Sequence, residues 1–317
     1  MQFTFEYGEV LASVEEKREL DGLMARYSSA KRIAFNALLR GHSVNGATHK
    51  LETFGSIALN WRYCEHAARD ADATLKSQRE LLTMYLSDTL DRIEEASSRL
   101  AKAKSPRKSA RQQTELLRLE KRKKFLDMHI ADGTIPKVVF GTRKLFVDRA
   151  KGKISNREWK EARNDQFYSI GQANQGGNAN IRIERDKVGI NFPESIEPRE
   201  VKGRVHRVKN IRRWFGVRVN ERFRKYMGSL VGRAYSVRVA RRSGRYLVQV
   251  TFEVALPSAD EVPERVCSID SNPGGFAAAV VGRDGNLLAH RFFRDDRLVY
   301  AAEGKRDIPS SAGSSRR

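Results

Sequence analysis

Two cysteines, Cys64 and Cys267, are all that the 317 residues contain. So few exclude a disulfide framework and any CxxC…CxxC zinc module, so no zinc site is expected, and they fit a reducing compartment. Six histidines (42, 49, 66, 129, 206 and 290) form no HExxH or comparable metal spacing. Cys64 beside His66 reads as packing. Long hydrophobic runs are missing too: no stretch of eighteen apolar residues occurs. The start, MQFTFEYGEV, lacks the basic lead and apolar centre of a signal peptide. The expectation is a cytoplasmic chain with no membrane partner. Acidic residues are also short, 39 against 60 lysines and arginines, which leaves a net charge of +21 and a pI near 10.2. Folding and solubility need no such surplus; a polyanionic partner explains it, and with the membrane set aside that partner is nucleic acid.

The surplus is concentrated. Residues 99–124 hold eleven lysines and arginines against two glutamates, and residues 199–245 hold sixteen against two. Nearly single-sign blocks repel themselves unless a polyanion neutralises them, whereas mixed-sign runs are ordinary solvated faces. The candidate nucleic-acid contacts are therefore Arg107, Lys108, Arg111, Lys121, Arg122, Lys123 and Lys124 in the first block. In the second they are Arg204, Arg207, Lys209, Arg212, Arg213, Arg222, Arg224, Lys225, Arg241, Arg242 and Arg245. Trp214 and Phe215 lie beside Arg212 and Arg213; a core role is favoured for the pair, and Trp214 is kept as a candidate stacking platform.

Patterning divides the chain. FTFEY alternates as a lone strand that must pair with something distant, and Ser13 and Glu16 have capping-box spacing. Leu20, Leu23, Met24, Tyr27, Ala34, Phe35 and Leu38 form one face of a long helix, broken by GHSVNGATHK. A second helical block is expected from about Thr48 to Lys104 and a third from about Ser109 to Ile130. Leu75, Leu82, Leu86, Leu90 and Ile93 give a heptad-like seam along which the two could fold into a hairpin, with the first basic run at and beyond its tip. After Asp132-Gly133 the pattern turns to strands: KVVFG, QFYSIG, ANIRIE, KVGINF and FGVRVN, then the hairpin AYSVRVARRSGRYLVQVTFEVA. This region reads as a β-barrel or curled sheet. A last meander, VCSID, FAAAVVGR and NLLAHRFF, has its hairpin turn at Asp284-Gly285. Asp270 ends the first of these strands.

Strand, Asp270, small polar turn and two apolar strands resemble the opening of an RNase H-like nuclease of the RuvC type. SIDSNPGGFAAAVVGRDGNLL resembles the first RuvC motif of the TnpB (OrfB) family, transposon-encoded RNA-guided nucleases related to type V CRISPR effectors. LNWRYCEHAARDADATLKSQ, VFGTRKLF, EWKEARNDQFYSIGQANQGGNANIRI and DRLVYAAEGKRD resemble blocks of the larger TnpB-like proteins in the same order. The resemblance implies an α+β architecture: a wedge-type β-barrel interrupted by a helical recognition insert, then an RNase H-like (RuvC) β-meander. Residues 1–11 would be the first barrel strand, 12–132 the insert, 133–260 the barrel and 261–317 an incomplete nuclease domain. It implies guide RNA and target DNA as partners, a short target-adjacent DNA motif that barrel and helices read, and Mg²⁺ held by several carboxylates. Of those carboxylates only the first, Asp270, has a counterpart, as catalytic residue and metal ligand. The tail DIPSSAGSSRR lacks the apolar period of the next helix, which reads as a truncation or frame change. The expectation is a nucleic-acid-binding portion of an RNA-guided DNA endonuclease, unable to cleave alone. The alternatives are a nuclease-dead RNA- or DNA-binding regulator and a plain RNA-binding scaffold.

Overall fold

The computed structural model describes residues 2–54, 57–172, 174, 176–201, 204–224, 226–253, 264–272 and 275–294. The chain divides into two compact units, Gln2–Val254 and Ala255–Arg317.

The lone first strand takes the central place in the first unit. β1 (Gln2–Leu11) lies between β7 (Arg245–Glu253) and β5 (Arg204–Val219), antiparallel to both. On either side follow β6 (Tyr235–Arg242) and β2 (Gln166–Ser169), and β4 (Lys187–Val201) and β3 (Ile181–Glu184), so the seven-stranded order is β2-β6-β7-β1-β5-β4-β3. A bulge at Tyr7 shifts the pairing between Glu6 and Gly8. Because strand side chains alternate, one extra residue moves the inward set from Phe3, Phe5 and Tyr7 to Val10. Gly8 is required there, since a Cβ would stand 2.3 Å from the Arg218 carbonyl oxygen.

The β6/β7 hairpin matches its pattern. Tyr235, Val237, Val239, Tyr246, Val248, Val250 and Phe252 are buried. Its turn has positive φ at both Ser243 (50°) and Gly244 (75°), the primed-turn geometry whose twist matches the strands. Among the described residues no ladder joins the edge strands β2 and β3. Asn178 bridges them instead: its Nδ2 donates to the carbonyls of Ser169 and Tyr235, and its Oδ1 accepts from the amides of Asn180 and Ile181. The fold is thus α+β with a curled antiparallel sheet.

Six helices enter between β1 and β2. α1 (Val14–Leu39) opens on the Ser13–Glu16 capping box and buries Leu20, Leu23, Met24, Tyr27, Ala34 and Phe35. α2 (Val44–Thr53) starts earlier than its sequence pattern indicated, because Ser43 caps it, accepting from the Gly46 amide. The second helical block is consequently two helices, with α3 (Trp61–Ala101) beginning at the cap Asn60. Ala30, Ala34 and Ala37 on α1 and Ala67, Ala68 and Ala71 on α3 are fully or nearly fully buried, and such small side chains let packed helices approach closely. α4 (Pro106–Ala131) starts from the Ser105 cap with proline in its first turn and folds back on α3. The seam runs through Leu82, Thr89 and Ala96, facing Leu119 and Leu126; Leu90 points outward.

KVVFG forms no strand. Gly141 (φ 86°) turns the chain, Phe140 packs edge-on against Phe35, and α5 (Arg143–Ala150) and α6 (Asn156–Arg163) follow. α7 (Glu221–Arg224) and a 3₁₀ turn, Met227–Leu230, link β5 to β6. The second unit is the expected meander of β8 (Arg265–Asn272), β9 (Gly275–Gly282) and β10 (Leu287–Arg294), in the order β10-β9-β8. Asp284 is a turn residue whose carboxylate accepts from the Asn286 amide. Val266, Ile269, Leu287, Leu288 and Phe292 are exposed. Among the described residues no helix is long and apolar enough to cross a membrane.

Candidate nucleic-acid interface

The basic residues sort into those the fold has engaged and those it has left in solvent. On α4, Arg107, Lys108, Arg111, Lys121, Arg122 and Lys124 are exposed, and none has a carboxylate partner among the described residues. Arg122 lies 5.9 Å over the Tyr85 ring. Lys123 is different: it pairs with Asp127 at 2.9 Å, one turn on. The first two turns of α4 leave the tip of the helical hairpin, so the cations there project where no other element covers them.

The second basic block divides similarly. Arg213 pairs with Glu19 on α1, and Arg241 pairs with Asp21 at 2.8 Å while donating to the Glu161 carbonyl. Tyr246 also donates to Asp21, so Arg241 belongs to a polar joint fastening α1 and α6 to the sheet. Arg212 donates from Nε to the Asn191 side chain and from Nη2 to the Ala179 carbonyl. Lys209, Arg222, Arg224, Arg242 and Arg245 are exposed, and Arg207 is half-buried; none of the six has an ion-pair partner among the described residues. Lys225 and the side chains of Arg204 and Asp270 lie outside the described residues. Trp214 and Phe215 part company by strand alternation: Phe215 is buried, and Trp214 is 42% exposed, its ring lying across Gly189, where a Cβ would come within 2.9 Å.

Arg207 lines a groove of about 990 Å³ between the α2–α3 junction and β4–β5. Two aromatics line its wall in partial exposure, Phe54 (52%) and Trp61 (43%). Four asparagines line it too, and the orientations of three of them, Asn60, Asn180 and Asn210, follow from one another. Asn60 caps α3, so its Oδ1 must accept from the Tyr63 amide at 2.8 Å. Its Nδ2 is thereby turned toward Asn180 and Asn210 and donates to the Oδ1 of each, at 3.0 and 2.8 Å. With both oxygens engaged, Nδ2 of Asn180 and of Asn210 is directed away from Asn60. The Asn180 Nδ2 is buried and without a partner among the described residues. Aromatic faces, amide donors and a cation together suit stacking and hydrogen bonding to an unstacked base. Sequence reasoning missed this cluster. Asn60 before an apolar helical run is a readable cap signal, but its partners are 120 and 150 residues away.

Cys64 and His66 are packing residues. Burial pushes the Cys64 thiol up to about 12 and the His66 imidazole down to about 4. His66 accepts the Ile170 amide on Nδ1, which fixes the tautomer with the proton on Nε2. Asp270 sits in β8 opposite Ala277. Among the described residues no group of three or more His, Cys, Asp or Glu comes together as a metal site. A two-metal centre needs carboxylates on both sides of the ion pair, and the Asp270 side chain, the one such donor that the motif supplies, lies outside the described residues.

No curated protein matches the chain. Residues 7–259, which begin within β1 and run past the end of β7, match the family described as the SSO2105 N-terminal domain. That match takes in most of the chain, which therefore belongs to the SSO2105 N-terminal domain family.

Proposed function

We propose that this protein binds nucleic acid in the cytoplasm, as the part of a TnpB-like RNA-guided DNA endonuclease that holds guide RNA and target DNA. One observation carries the reading: six exposed cations on α4 have no carboxylate partner among the described residues, in a chain of net charge +21. Left unneutralised, such a block is self-repelling; a phosphate backbone relieves it and releases counterions in the process. The finer architecture belongs to the same proposal. In it the curled sheet, with α5 and α6, is a wedge-type barrel, α1–α4 are its recognition insert, and β8–β10 open a RuvC-type fold. Binding is the activity proposed here; of the carboxylates that cleavage would need, the motif supplies Asp270.

The test is fluorescence anisotropy of the full chain with a structured RNA and with double-stranded DNA, between 50 and 200 mM salt. The expectation is tight binding at 50 mM that falls by about 10³–10⁵ across that range, as for six to ten phosphate contacts. No binding to either at 50 mM, or an affinity indifferent to salt, refutes the proposal. Selective retention of one structured RNA over others of equal length favours the guide-holding form over a plain scaffold.

A further inference from the structure

A second, smaller pocket brings two arginines together. It has a volume of about 240 Å³ and lies between α1, α3, the turn before α5 and the end of α6. Two guanidinium groups line it, Arg32 on α1 and Arg163 on α6, and neither forms an ion pair with a carboxylate among the described residues. Arg32 is held by neutral acceptors, the Asn164 side chain and the Ser29 hydroxyl, each at 3.0 Å. Arg163 packs against the Trp159 ring, 5.8 Å from its centre. Burial, and then the charge of Arg163, pull Arg32 down to about 10. Two like charges facing one partly dry space repel, and neither guanidinium is closed by an ion pair among the described residues.

Unmatched donors belong to residues of the same wall. Among the described residues four buried side-chain atoms have no partner, and two of them, the Tyr27 hydroxyl and the Arg163 Nε, belong to residues lining this pocket. Tyr27 is 1% exposed, and burial holds its phenol well above the usual range, so it keeps its proton and remains a donor. Buried donors are nearly always satisfied in native proteins, by protein, water or ligand. Two carboxyls also line the pocket. Asp70 is met by Lys31 at 3.0 Å, and burial holds the Asp165 carboxyl above its ordinary value. The wall is built close: Gly141 has φ 86°, and a Cβ there would stand 3.0 Å from the Arg163 backbone. Thr142 beside it holds a positive φ of 72°, a strained conformation for a β-branched residue.

We propose that this pocket is a phosphate site, in which Arg32, Arg163 and the Tyr27 hydroxyl take the oxygens of one phosphoryl group. Water would accept from the orphan donors but bring no charge. A phosphate does both, and its tetrahedral oxygens serve donors arriving from α1 and α6 together. The group is either free inorganic phosphate or a phosphate of a bound nucleic acid; only the second source rests on the function proposed above.

Calorimetry of the full chain with inorganic phosphate, against chloride at equal ionic strength, tests the site directly. Wild-type protein should bind one phosphate per chain, with Arg163→Gln weakening it at least tenfold. Tyr27→Phe removes only the hydroxyl and should weaken it severalfold while circular dichroism stays unchanged. In parallel, anisotropy with a single-stranded oligonucleotide separates the sources. If phosphate displaces the oligonucleotide from wild-type protein but not from Arg163→Gln, the site takes a backbone phosphate. If phosphate binds and the oligonucleotide is indifferent to it, or does not bind at all, the site serves the free ion. No phosphate heat in wild-type protein, with oligonucleotide affinity equal in wild type, Arg163→Gln and Tyr27→Phe, overturns the site and leaves the nucleic-acid reading standing.

Discussion

Replacing Arg107, Arg111, Lys121 and Arg122 by glutamine removes four positive charges from one side of α4 and touches no buried contact. The choice follows from helix geometry. At about 100° per residue these four positions fall within an arc of about 100°, to one side of the seam that holds Leu119 and Leu126, and at 1.5 Å per residue they span about 22 Å. That length matches roughly six or seven base pairs of duplex, so one phosphate backbone can meet all four. Each neutralised phosphate contributes about 0.9 to the logarithmic salt slope on duplex DNA, so the variant should lose about 3.6 from its slope. Between 50 and 200 mM salt this is a factor of about 10² in affinity that the wild type loses and the variant never had. Glutamine keeps helix propensity, so far-ultraviolet circular dichroism should be unchanged. The matched control is Arg118→Gln with Lys123→Gln, whose charges already meet Glu115 and Asp127. The control should lower the slope by less than one. If the quadruple variant keeps the wild-type slope within about half a unit while remaining folded, α4 is not where the phosphates lie, and the charge argument for this hairpin fails.

Two further outcomes concern stability. His66 has its folded pKa depressed to about 4 from an ordinary 6.5, so the unfolded chain takes up its proton first as the pH falls. Its contribution is therefore full above about pH 6.5 and is lost on acidification, by about 2 kcal/mol between pH 7 and pH 5, and urea midpoints in a His66→Asn protein should lack this step. A step of equal size in that variant would show that other groups cause it. Arg241→Ala leaves Asp21 without its ion pair and takes from the Glu161 carbonyl one of its two donors, and should cost about 1–2 kcal/mol in urea unfolding, whereas Arg242→Ala and Arg245→Ala should stay within about 0.5 kcal/mol and instead lower the salt slope of binding. Equal stability of all three would remove Arg241 from the joint between α1 and the sheet.

What the sequence made legible is what local chemistry decides. FTFEY could be read as a strand with a distant partner because period-two alternation needs no tertiary information, although its central place in the sheet depends on residues about 200 positions away. The β6/β7 hairpin was readable from its alternating valines and from a turn sequence that tolerates positive φ. The helical hairpin was readable too, with one register error: Thr89, not Leu90, faces α4, because the true seam steps by seven from Leu82 through Thr89 to Ala96. α5 and α6 stayed hidden, since eight-residue helices with at most one buried apolar position carry no period; α5 buries none and α6 buries Trp159. α2 was obscured by Asn45-Gly46, which signals a turn locally but sits inside a helix once Ser43 has capped it.

The functional surfaces divide along the same line. A block of cations announces itself by composition, and α4 needed only its helical period to show which cations share a side. The asparagine cluster and the phosphate pocket are of another kind, because their meaning lies in what is missing around them. Asn180 is ordinary in sequence, and becomes informative only when the Asn60 cap fixes which way its amide points. Arg32 and Arg163 are two of sixty cations until the fold brings them to one pocket, neither in an ion pair among the described residues. Arg241 shows the converse: the composition that marked it as a binding residue could not register Asp21, 220 positions earlier, which engages it. Charge excess thus raises the proposal of a polyanionic partner, while the partner each cation already has within the fold decides which of them remain to meet it.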